Sequence, residues 1–209
     1  MALKEFEQLL KQAIGLDAAS VGSSAIERAV QRRMAACQSE SLSEYREFVR
    51  ASESERQELI EAVVVPETWF FRDGEAFTAL GRIVQMERPA NDALVRVLSV
   101  PSSTGEEAYS IAMTLFDAGL AANHFGVEAF DVSRYAVAQA ERAVYGRNSF
   151  RGQELQFRDR YFEATEQGYR LSERVRRQVR FRQGNLFGPQ FLSAVESYDI
   201  VFCRNLLIY

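Results

Sequence analysis

The sequence has few of the residues that build metal sites, disulfide frameworks or histidine-based catalysis. Its 209 residues include two cysteines, Cys37 and Cys203, and one histidine, His124. The two cysteines have no ligand-like spacing, so they predict neither a disulfide framework nor a metal centre. No apolar run approaches the ~18 residues that a membrane span needs, and the N-terminus has the pattern of an amphipathic helix rather than a signal peptide. We therefore expect a cytoplasmic protein with no metal and no membrane insertion.

The charge balance gives no indication of a nucleic-acid partner. The chain has 25 lysine and arginine residues against 29 aspartate and glutamate residues, which is a net charge of -4 at neutral pH. A nucleic-acid footprint needs clustered basic residues, so we expect no nucleic acid among the partners. Hydrophobic residues make up 47% of the sequence, which is enough for one or two domains with buried cores.

Residues 1–66 show helical periodicity and no convincing strand, which predicts a small all-α domain. Four stretches have apolar residues at helical spacing, and the last is expected to be capped near Ser54. On the second predicted helix, Arg28 and Arg32 lie one turn apart, with Arg33 beside them. A solvated helix face is the commoner reading of such charges. The alternative is a docking surface for an acidic helical partner.

The stretch 94–115 predicts a buried strand, a tight turn and a helix. Its first part, 94–100, is apolar and rich in β-branched residues, as in a parallel strand covered on both faces. Two overlapping capping boxes within Ser103–Glu107 place the start of the helix there. In an open α/β sheet, the carboxyl end of such a strand is where a nucleotide-like ligand binds.

The residues of this turn restrict the kind of ligand. The turn has one glycine, Gly105, followed by Glu106 and Glu107. A pyrophosphate-binding turn needs more glycines and a helix N-terminus without negative charge, so a dinucleotide is disfavoured. A ligand with a cationic part, such as the amino group of S-adenosylmethionine, fits two carboxylates better. The local pattern allows equally that the two glutamates only complement the helix dipole.

Polar residues also follow the carboxyl ends of three later predicted strands. These strands are expected at 125–130, 179–183 and 198–203. Asp131 is placed to accept hydrogen bonds from a ribose diol. Asn185 can cover an adenine edge, although asparagine after glycine is also ordinary turn chemistry, and Arg204 and Asn205 end the last strand. Because helices alternate with these strands, we predict an α/β fold in which the four strand ends meet at one edge of a parallel sheet.

The segment Pro66–Asp73 follows the helical region and contains three adjacent aromatic residues, Trp69–Phe71. One interpretation is that these residues only pack in an interface between two domains. Alternatively, Arg72 presents its fixed fork of donors to a carboxylate. Asp73 is expected to cap the helix that comes next.

Taken together, these motifs resemble the chemotaxis-receptor methyltransferase family (CheR type). The resemblance runs from the helical N-terminal region to the last residue. Its specific parts are Glu67–Arg72, Ser103–Ser110, Phe130–Ser133, the region of Tyr145 and Arg151–Gly152, and Phe202–Tyr209. Several matches in the right order are more specific than a single glycine motif.

The resemblance implies both a fold and a reaction. The implied fold is α/β, with a Rossmann-like class I S-adenosylmethionine methyltransferase sheet that is truncated after strand four and preceded by a small all-α domain. Residues 1–66 would be the receptor-docking domain, and residues 67–209 would be a C-terminally incomplete methyltransferase domain. The implied reaction transfers methyl from S-adenosylmethionine to glutamate side chains of methyl-accepting chemotaxis-type receptors and leaves S-adenosylhomocysteine. The partners would be the cytoplasmic helices of these receptors.

The resemblance also implies roles for individual residues. Tyr209 would sit near the transferred methyl group. Arg72 and Tyr209 are the candidate catalytic residues, and we expect them to position the substrate rather than to activate it. The cofactor site would be lined by Thr68, Arg72, Glu106, Asp131, Asn185, Leu186, Arg204 and Asn205. The receptor would dock on Arg28, Arg32 and Arg33.

Two departures from the family pattern keep a second function open. Val100–Ser102 stands where the family has small residues, and Pro101 removes a backbone donor beside the turn. A specialised branch, such as the Wsp surface-sensing and biofilm branch, is one explanation. The family's sheet also continues beyond the position of Tyr209. The alternative function is a non-catalytic regulatory module that binds S-adenosylmethionine or S-adenosylhomocysteine in a signalling pathway.

Overall fold

The chain forms two compact units. The structure, a computed structural model, describes residues 2–64, 66–86, 94–152, 155–188, 191 and 197–204. The described part of the first unit is 2–64, 184–188 and 191, and that of the second unit is 66–86, 94–152, 155–183 and 197–204. Each unit buries apolar side chains of its own.

The first unit is helical through residue 63, as the sequence predicts. Its helices are α1 (Ala2–Ile14), α2 (Ala18–Val21), α3 (Ser23–Cys37), α4 (Leu42–Ala51) and α5 (Glu53–Val63). Residues three or four positions apart share a helix face, so one side of each long helix can enter a core. Phe6 and Leu10 on α1, and Ile26 and Val30 on α3, are fully buried in this way.

A polar cluster lies among the helices of this unit. Glu55 on α5 is 5% exposed, and its carboxylate accepts hydrogen bonds from Nε and Nη2 of Arg33 at 2.9 and 2.6 Å. The hydroxyl of Tyr45 donates to the same carboxylate at 2.8 Å. Burial opposes the charged form of Glu55, but the bonds from Arg33 and Tyr45 outweigh it and lower the pKa of Glu55. Helix α5 is capped by Ser52, whose side chain accepts from the Glu55 N–H, two residues before Ser54, near which the cap was expected.

The second unit alternates helices and strands, which confirms the predicted α/β class. Its elements are α6 (Glu75–Met86), β1 (Val95–Ser99), α7 (Glu106–Asp117), β2 (Phe125–Asp131), α8 (Arg134–Arg142), β3 (Val144–Tyr145), a 3₁₀ turn (Arg147–Ser149), α9 (Gln156–Tyr161), β4 (Phe162–Thr165), β5 (Gly168–Leu171), α10 (Glu173–Arg176), β6 (Val179–Gln183) and β7 (Ile200–Phe202). Among the described residues of both units, no helix combines the length and the apolar character that crossing a bilayer requires.

Four parallel strands in the order β6-β2-β1-β7 form the main sheet. Val97 of β1 pairs with Val127 of β2 on one side and with Ile200 of β7 on the other. Helix α7 packs on β2 and β6 and covers one face, so Val97 and Ile111 are fully buried between them. This strand order puts the carboxyl ends of β2, β1 and β7 side by side, which is the arrangement that the sequence predicts.

A small antiparallel sheet in the order β3-β5-β4 follows α8. The sequence pattern indicates irregular structure over 158–171 apart from a hairpin turn at Gly168, so α9, β4 and β5 are missed. Strands of two to four residues are too short to show a period. The turn is placed correctly, because Thr165 pairs with Gly168 across two intervening residues.

Replacing Glu55 by glutamine should destabilise the helical unit. Glutamine removes the carboxylate that bonds to Nε and Nη2 of Arg33 and leaves that guanidinium with the more distant Glu58, so we expect the free energy of unfolding to fall by about 1–3 kcal/mol. The folded-state pKa of Glu55 lies below its ordinary value. Its stabilising contribution is therefore present at neutral pH and is lost as the pH falls through the ordinary value towards the folded one.

Urea unfolding at about pH 7 and about pH 3 measures this effect. The exposed Glu53 in the first turn of the same helix supplies the control, and Glu53→Gln should change stability by no more than about 0.5 kcal/mol. Equal losses in the two variants, or a Glu55→Gln deficit that is unchanged in acid, would contradict the assignment.

Candidate functional site

The turn between β1 and α7 is held at the carboxyl ends of three strands. The N–H of Val100 donates to the carbonyl of Phe202 at the end of β7, at 2.9 Å. The N–H of Ser102 donates to the carbonyl of Phe130 in β2, at 2.8 Å. These bonds fix the turn at the sheet edge where an open α/β fold binds its ligand.

Gly105 is the point of closest packing in this turn. Its φ is +94°, in the left-handed region, and it is the N-cap of α7 without any side-chain cap. A Cβ at this position would lie 2.7 Å from the Cβ of Ala140 and 3.0 Å from both the Tyr145 hydroxyl and the Phe181 ring. The capping boxes predicted within Ser103–Glu107 are therefore wrong, because a left-handed glycine rather than a hydroxyl residue starts the helix.

Asp131 lies at the end of β2, as the sequence predicts, and its carboxylate joins two turns. Its Oδ2 accepts from the N–H of Ser103 at 2.7 Å, and its Oδ1 accepts from the N–H of Ser133 at 2.9 Å. The residue is 5% exposed. The carboxylate therefore fixes the shape of the β1–α7 turn, and its contact with a ribose stays a prediction.

Glu106 holds a buried carboxyl group whose partners are hydroxyls. Thr104 Oγ1 donates to Oε2 at 2.7 Å, and Ser149 Oγ donates to Oε1 at 2.8 Å. Burial raises the pKa of Glu106, against these two bonds, which favour the charged form. Among the residues that the structure describes, no basic side chain forms an ion pair with it. Its negative charge is thus uncompensated within this part of the protein.

Glu107, the next residue, differs because its charge is balanced. Its Oε1 accepts from the hydroxyl of Ser99 at 2.8 Å, and its Oε2 lies 3.3 Å from Nη1 of Arg204. Burial raises the pKa of Glu107, while the Ser99 hydrogen bond and the charges of Arg204 and Arg72 oppose that rise. Of two adjacent carboxyl groups, only Glu106 is left to meet a cationic ligand.

Arg204 connects three segments at this edge of the sheet. Besides Glu107 on α7, its Nη2 donates to the carbonyl of Arg72 at 2.8 Å and to Oδ2 of Asp73 at 2.7 Å. Asp73 therefore pairs with Arg204. Its side chain does not cap α6, which is contrary to the expectation from the sequence. We call this set of contacts the Arg204 bridge. It joins the end of β7 to the segment that carries Arg72.

Two guanidinium groups lie on the ring of Trp69. The Cζ of Arg72 is 4.6 Å from the ring centroid, and the Cζ of Arg151 is 5.0 Å from it. Nη1 of Arg72 donates to the carbonyl of Glu67 at 2.7 Å. The Glu67 carboxylate lies 3.7 Å from Nη1 of Arg151. We call Trp69 with these two arginines the indole platform.

Aromatic packing fixes the segment that carries the indole platform. The ring of Phe70 is 1% exposed and contacts the rings of Tyr145 and Phe150, at centroid distances of 4.8 and 5.2 Å. The N–H of Phe70 donates to the carbonyl of Ser149 at 2.9 Å. The 3₁₀ turn that supplies a hydroxyl to Glu106 is thus bonded directly to this segment.

Several buried polar atoms of the site have no hydrogen-bond partner among the described residues. They are Oγ of Ser102, Oγ of Ser103 and Nε of Arg72, and Ser102 is 1% exposed. Such atoms cost free energy unless a ligand or water bonds to them. Together with the uncompensated Glu106, they fit a polar ligand with a cationic part, which is the chemistry of S-adenosylmethionine.

The structure brings some of the predicted cofactor residues close together. Asp131 and Glu106 meet through the β1–α7 turn, and the Arg204 bridge joins Arg204 to Arg72. Thr68 is partly buried four positions before Arg72. The guanidinium of Arg204 already has three acceptors within the protein, so its visible role is to hold the Arg72 segment.

Other predicted residues lie elsewhere. Asn205 and Tyr209 lie outside the described residues. Asn185 and Leu186 belong to the first unit, where Nδ2 of Asn185 donates to the carbonyl of Ala13 at 2.6 Å. The cofactor roles of Asn185, Leu186 and Asn205, and the catalytic role of Tyr209, stay predictions.

The three candidate docking arginines of α3 differ in their surroundings. Arg28 and Arg32 are exposed, and Nη2 of Arg32 donates to the carbonyl of Ala62 at 3.1 Å. Arg33 is held by Glu55 and lies 3.7 Å from Glu58. Its visible role is to join helices, and docking through any of the three stays a prediction.

Sequence reasoning missed the parts played by Ser99, Ser149 and Arg151. Ser99 is a fully buried polar residue in an apolar strand, and that anomaly is a signal that points to a polar partner. Ser149 lies 43 positions from Glu106, and no periodic pattern connects the two. Arg151 stands in a motif that carries the resemblance, but its contact with Trp69 follows only from the fold.

Two family models together span nearly the whole chain. The model described as "CheR methyltransferase, SAM binding domain" matches residues 66–209, and that described as "CheR methyltransferase, all-alpha domain" matches residues 1–64. A protein of Pseudomonas aeruginosa named "Probable biofilm formation methyltransferase WspC" is 55% identical over 206 residues, which cover 98% of this chain and 49% of that protein.

Relatives from other bacteria extend this similarity. The protein of the same name from Pseudomonas putida is 51% identical over 208 residues, covering 99% of this chain and 49% of that protein. The "Chemotaxis protein methyltransferase" of Salmonella typhimurium is 30% identical over 209 residues, covering 97% of this chain and 71% of that protein. The chain thus spans about half the length of the two WspC relatives.

Replacing Gly105 by alanine should destabilise the second unit. The new Cβ would be forced into a left-handed conformation and against Ala140, so we expect the free energy of unfolding to fall by about 2–4 kcal/mol. Gly126 in β2 supplies a matched control, because a Cβ there would meet no atom within 4 Å. Chemical denaturation should show Gly126→Ala within about 1 kcal/mol of the wild type. Comparable losses in both variants would mean that the packing at Gly105 is not special.

Proposed function

Because the chain belongs to the CheR methyltransferase family, we propose that it methylates glutamate side chains of methyl-accepting chemotaxis-type receptors with S-adenosylmethionine. The products are a glutamyl methyl ester and S-adenosylhomocysteine. The observation that carries the proposal is the uncompensated carboxyl group of Glu106 at the carboxyl end of β1. Since the substrate segments are the cytoplasmic helices of receptors, the protein works in the cytoplasm.

Residues on five segments hold the cofactor in this proposal. Glu106 meets its cationic part, and Asp131 meets its ribose, as at the acidic tip of a second strand in other nucleotide-binding sheets. Thr68 and Arg72 approach from the segment before α6, where Nε of Arg72 is buried without a partner among the described residues. Asn185, Leu186, Arg204 and Asn205 complete the set on the basis of the resemblance alone.

The reaction needs alignment more than proton transfer. S-adenosylmethionine supplies a methyl group on a positively charged sulfur. The glutamate that receives it has an ordinary pKa of about 4.3, so it is ionised at neutral pH and needs no general base. This agrees with a chain that contains a single histidine. The protein must orient the carboxylate and exclude water from it.

Arg72 orients the substrate rather than activating it. The carboxylate loses its negative charge during methyl transfer, so a cation held tightly on it would stabilise the reactant and slow the reaction. Arg72 is restrained from holding the substrate carboxylate tightly, because its Nη1 already donates to the carbonyl of Glu67. Tyr209 shares the positioning role on the basis of the resemblance.

The receptor docks on the helical unit in this proposal. Arg28 and Arg32 are exposed on α3 and offer positive charge to acidic receptor helices. Arg33 contributes through its ion pair with Glu55, which holds α3 against α5.

Titration calorimetry and methyl transfer test this function together. The wild-type chain should bind S-adenosylmethionine and S-adenosylhomocysteine, and it should move labelled methyl to a receptor cytoplasmic fragment as a base-labile ester. Glu106→Gln should weaken S-adenosylmethionine binding about tenfold or more at neutral pH, because a charged partner is lost. Wild-type affinity should fall in acid with an apparent pKa above that of ordinary glutamate, and the variant should lack this dependence.

The outcomes separate the possible functions. Binding without transfer would leave the non-catalytic module, and no binding of either compound would refute both. An acid dependence that persists in Glu106→Gln would assign the cationic contact to another residue.

Arg72→Ala and Tyr209→Phe test the positioning roles. If these residues orient the substrate, turnover should fall on the order of a hundredfold, far more than S-adenosylhomocysteine affinity, which Arg72→Ala lowers through its cofactor contact and Tyr209→Phe leaves unchanged. Arg82→Ala, at an exposed arginine of α6, controls for loss of surface charge and should keep wild-type turnover. Equal losses of turnover and of affinity would reject positioning and leave only the cofactor-binding role that the resemblance gives to Arg72.

A further inference from the structure

The proposed function uses one of the two arginines of the indole platform and leaves the other unexplained. Arg72 and Arg151 have their Cζ atoms 4.6 and 5.0 Å from the Trp69 ring centroid, so the two guanidinium carbons are at most about 9.6 Å apart. Two like charges at this distance repel each other, and a nearby anion relieves the repulsion. Glu67 is the residue that forms an ion pair with Arg151 among the described residues.

The surroundings of Arg151 hold it in place without saturating it. Its Nε donates to the carbonyl of Asn148 at 3.1 Å. Its Nη1 is 3.7 Å from Oε1 of Glu67, which is beyond hydrogen-bond distance, and the two side chains are 50% and 59% exposed. An ion pair of this kind contributes little and exchanges readily with another partner. The guanidinium edge can therefore accept a different carboxylate.

The chemistry of a stacked guanidinium indicates the kind of ligand. A guanidinium that lies on an aromatic ring keeps its in-plane donors for a planar anion, and a carboxylate matches that fork in two hydrogen bonds. The Glu67 carboxylate pairs with Arg151, whereas Arg72 bonds to the Glu67 carbonyl and its charge acts on Glu107. The weakly paired, exposed guanidinium of Arg151 can therefore attract a further carboxylate.

The loop that carries Arg151 is built into the candidate site. The carbonyl of Ser149 accepts from the N–H of Phe70, and its hydroxyl donates to Glu106. Arg151 follows two positions later. Its half-exposed side chain differs from the buried Ser102, Glu106 and Asp131 of the cofactor turn, so Arg151 is accessible to a protein substrate.

We propose that Arg151 is a specificity-determining residue, which binds the carboxylate of an acidic residue next to the glutamate that is methylated. The incoming carboxylate displaces Glu67 from Arg151. A carboxylate beside the reacting one keeps its charge through the reaction, so a cation can hold it without opposing methyl transfer. This inference rests on the proposed function and adds to it a preference for substrates with acidic neighbours.

Binding of defined peptides, with S-adenosylhomocysteine saturating, tests the inference without turnover. The probes are two labelled helical peptides that differ at one position, one with a central Glu-Glu pair and the other with Glu-Gln. Fluorescence anisotropy gives their affinities, and the emission of Trp69, the single tryptophan of the chain, reports on the indole platform. The wild type should prefer Glu-Glu by about three- to tenfold, the effect of a charge-assisted hydrogen bond at a half-exposed site.

Substitutions on either side of the ion pair should act in opposite directions. Arg151→Gln should abolish the preference, and Arg151→Lys should restore part of it, because lysine keeps the charge without the fork. Glu67→Gln should tighten Glu-Glu binding, since the competing carboxylate is gone. A merely structural role for the Arg151–Glu67 pair predicts that both substitutions weaken binding. Arg147→Gln, at an exposed arginine of the same loop, is the matched control and should keep the wild-type preference.

The remaining outcomes would each overturn the inference. These are a wild type that does not distinguish the peptides or binds neither, equal losses in Arg151→Gln and Arg147→Gln, and a fall in S-adenosylhomocysteine affinity in Arg151→Gln that matches its loss of peptide affinity. Failure of the proposed function is seen separately, as wild-type protein that binds no S-adenosylhomocysteine or transfers no methyl to the receptor fragment.

Discussion

The Arg204 bridge is the contact on which the architecture of the candidate site depends. One guanidinium, 18% exposed, bonds to Glu107 on α7, to the carbonyl of Arg72 and to the carboxylate of Asp73. A largely buried charge is tolerated only when its partners are in place. The guanidinium of Arg204 therefore fixes α7 and the Arg72 segment relative to the end of β7. The last described strand thereby sets the position of a residue 132 positions earlier in the chain.

The bridge also explains how two neighbouring glutamates come to differ. Glu107 forms an ion pair with Arg204, whereas Glu106 accepts hydrogen bonds from the hydroxyls of Thr104 and Ser149. At this helix start, one carboxyl group therefore has no basic partner among the described residues, and the other is paired with Arg204. Sequence reasoning left the choice open between a ligand contact and a dipole effect for both residues. The structure gives the two residues different partners, and the ligand contact of Glu106 stays a prediction.

The sequence was sufficient for the fold class and for the placement of the long elements. The bounds of β6 agree with the predicted 179–183, and β2 extends the predicted strand by the one residue, Asp131, that was given a role. Local patterns carry this information because side-chain periodicity reflects which face is buried. The predictions that failed concern helix caps. The carboxylate of Asp73 pairs with the distant Arg204, and at the start of α7 the left-handed Gly105 takes the cap position, while the hydroxyl of Thr104 donates to Glu106.

The close packing at Gly105 constrains how this protein can diverge over evolutionary time. The missing side chain leaves room that the Cβ of Ala140, the hydroxyl of Tyr145 and the ring of Phe181 fill from three other elements. A substitution at any one of these positions therefore depends on the residues at the others. A bulkier residue on α8 or β6 would clash with the turn, as a Cβ at Gly105 would. Descendants that keep this turn have to change such positions together or not at all.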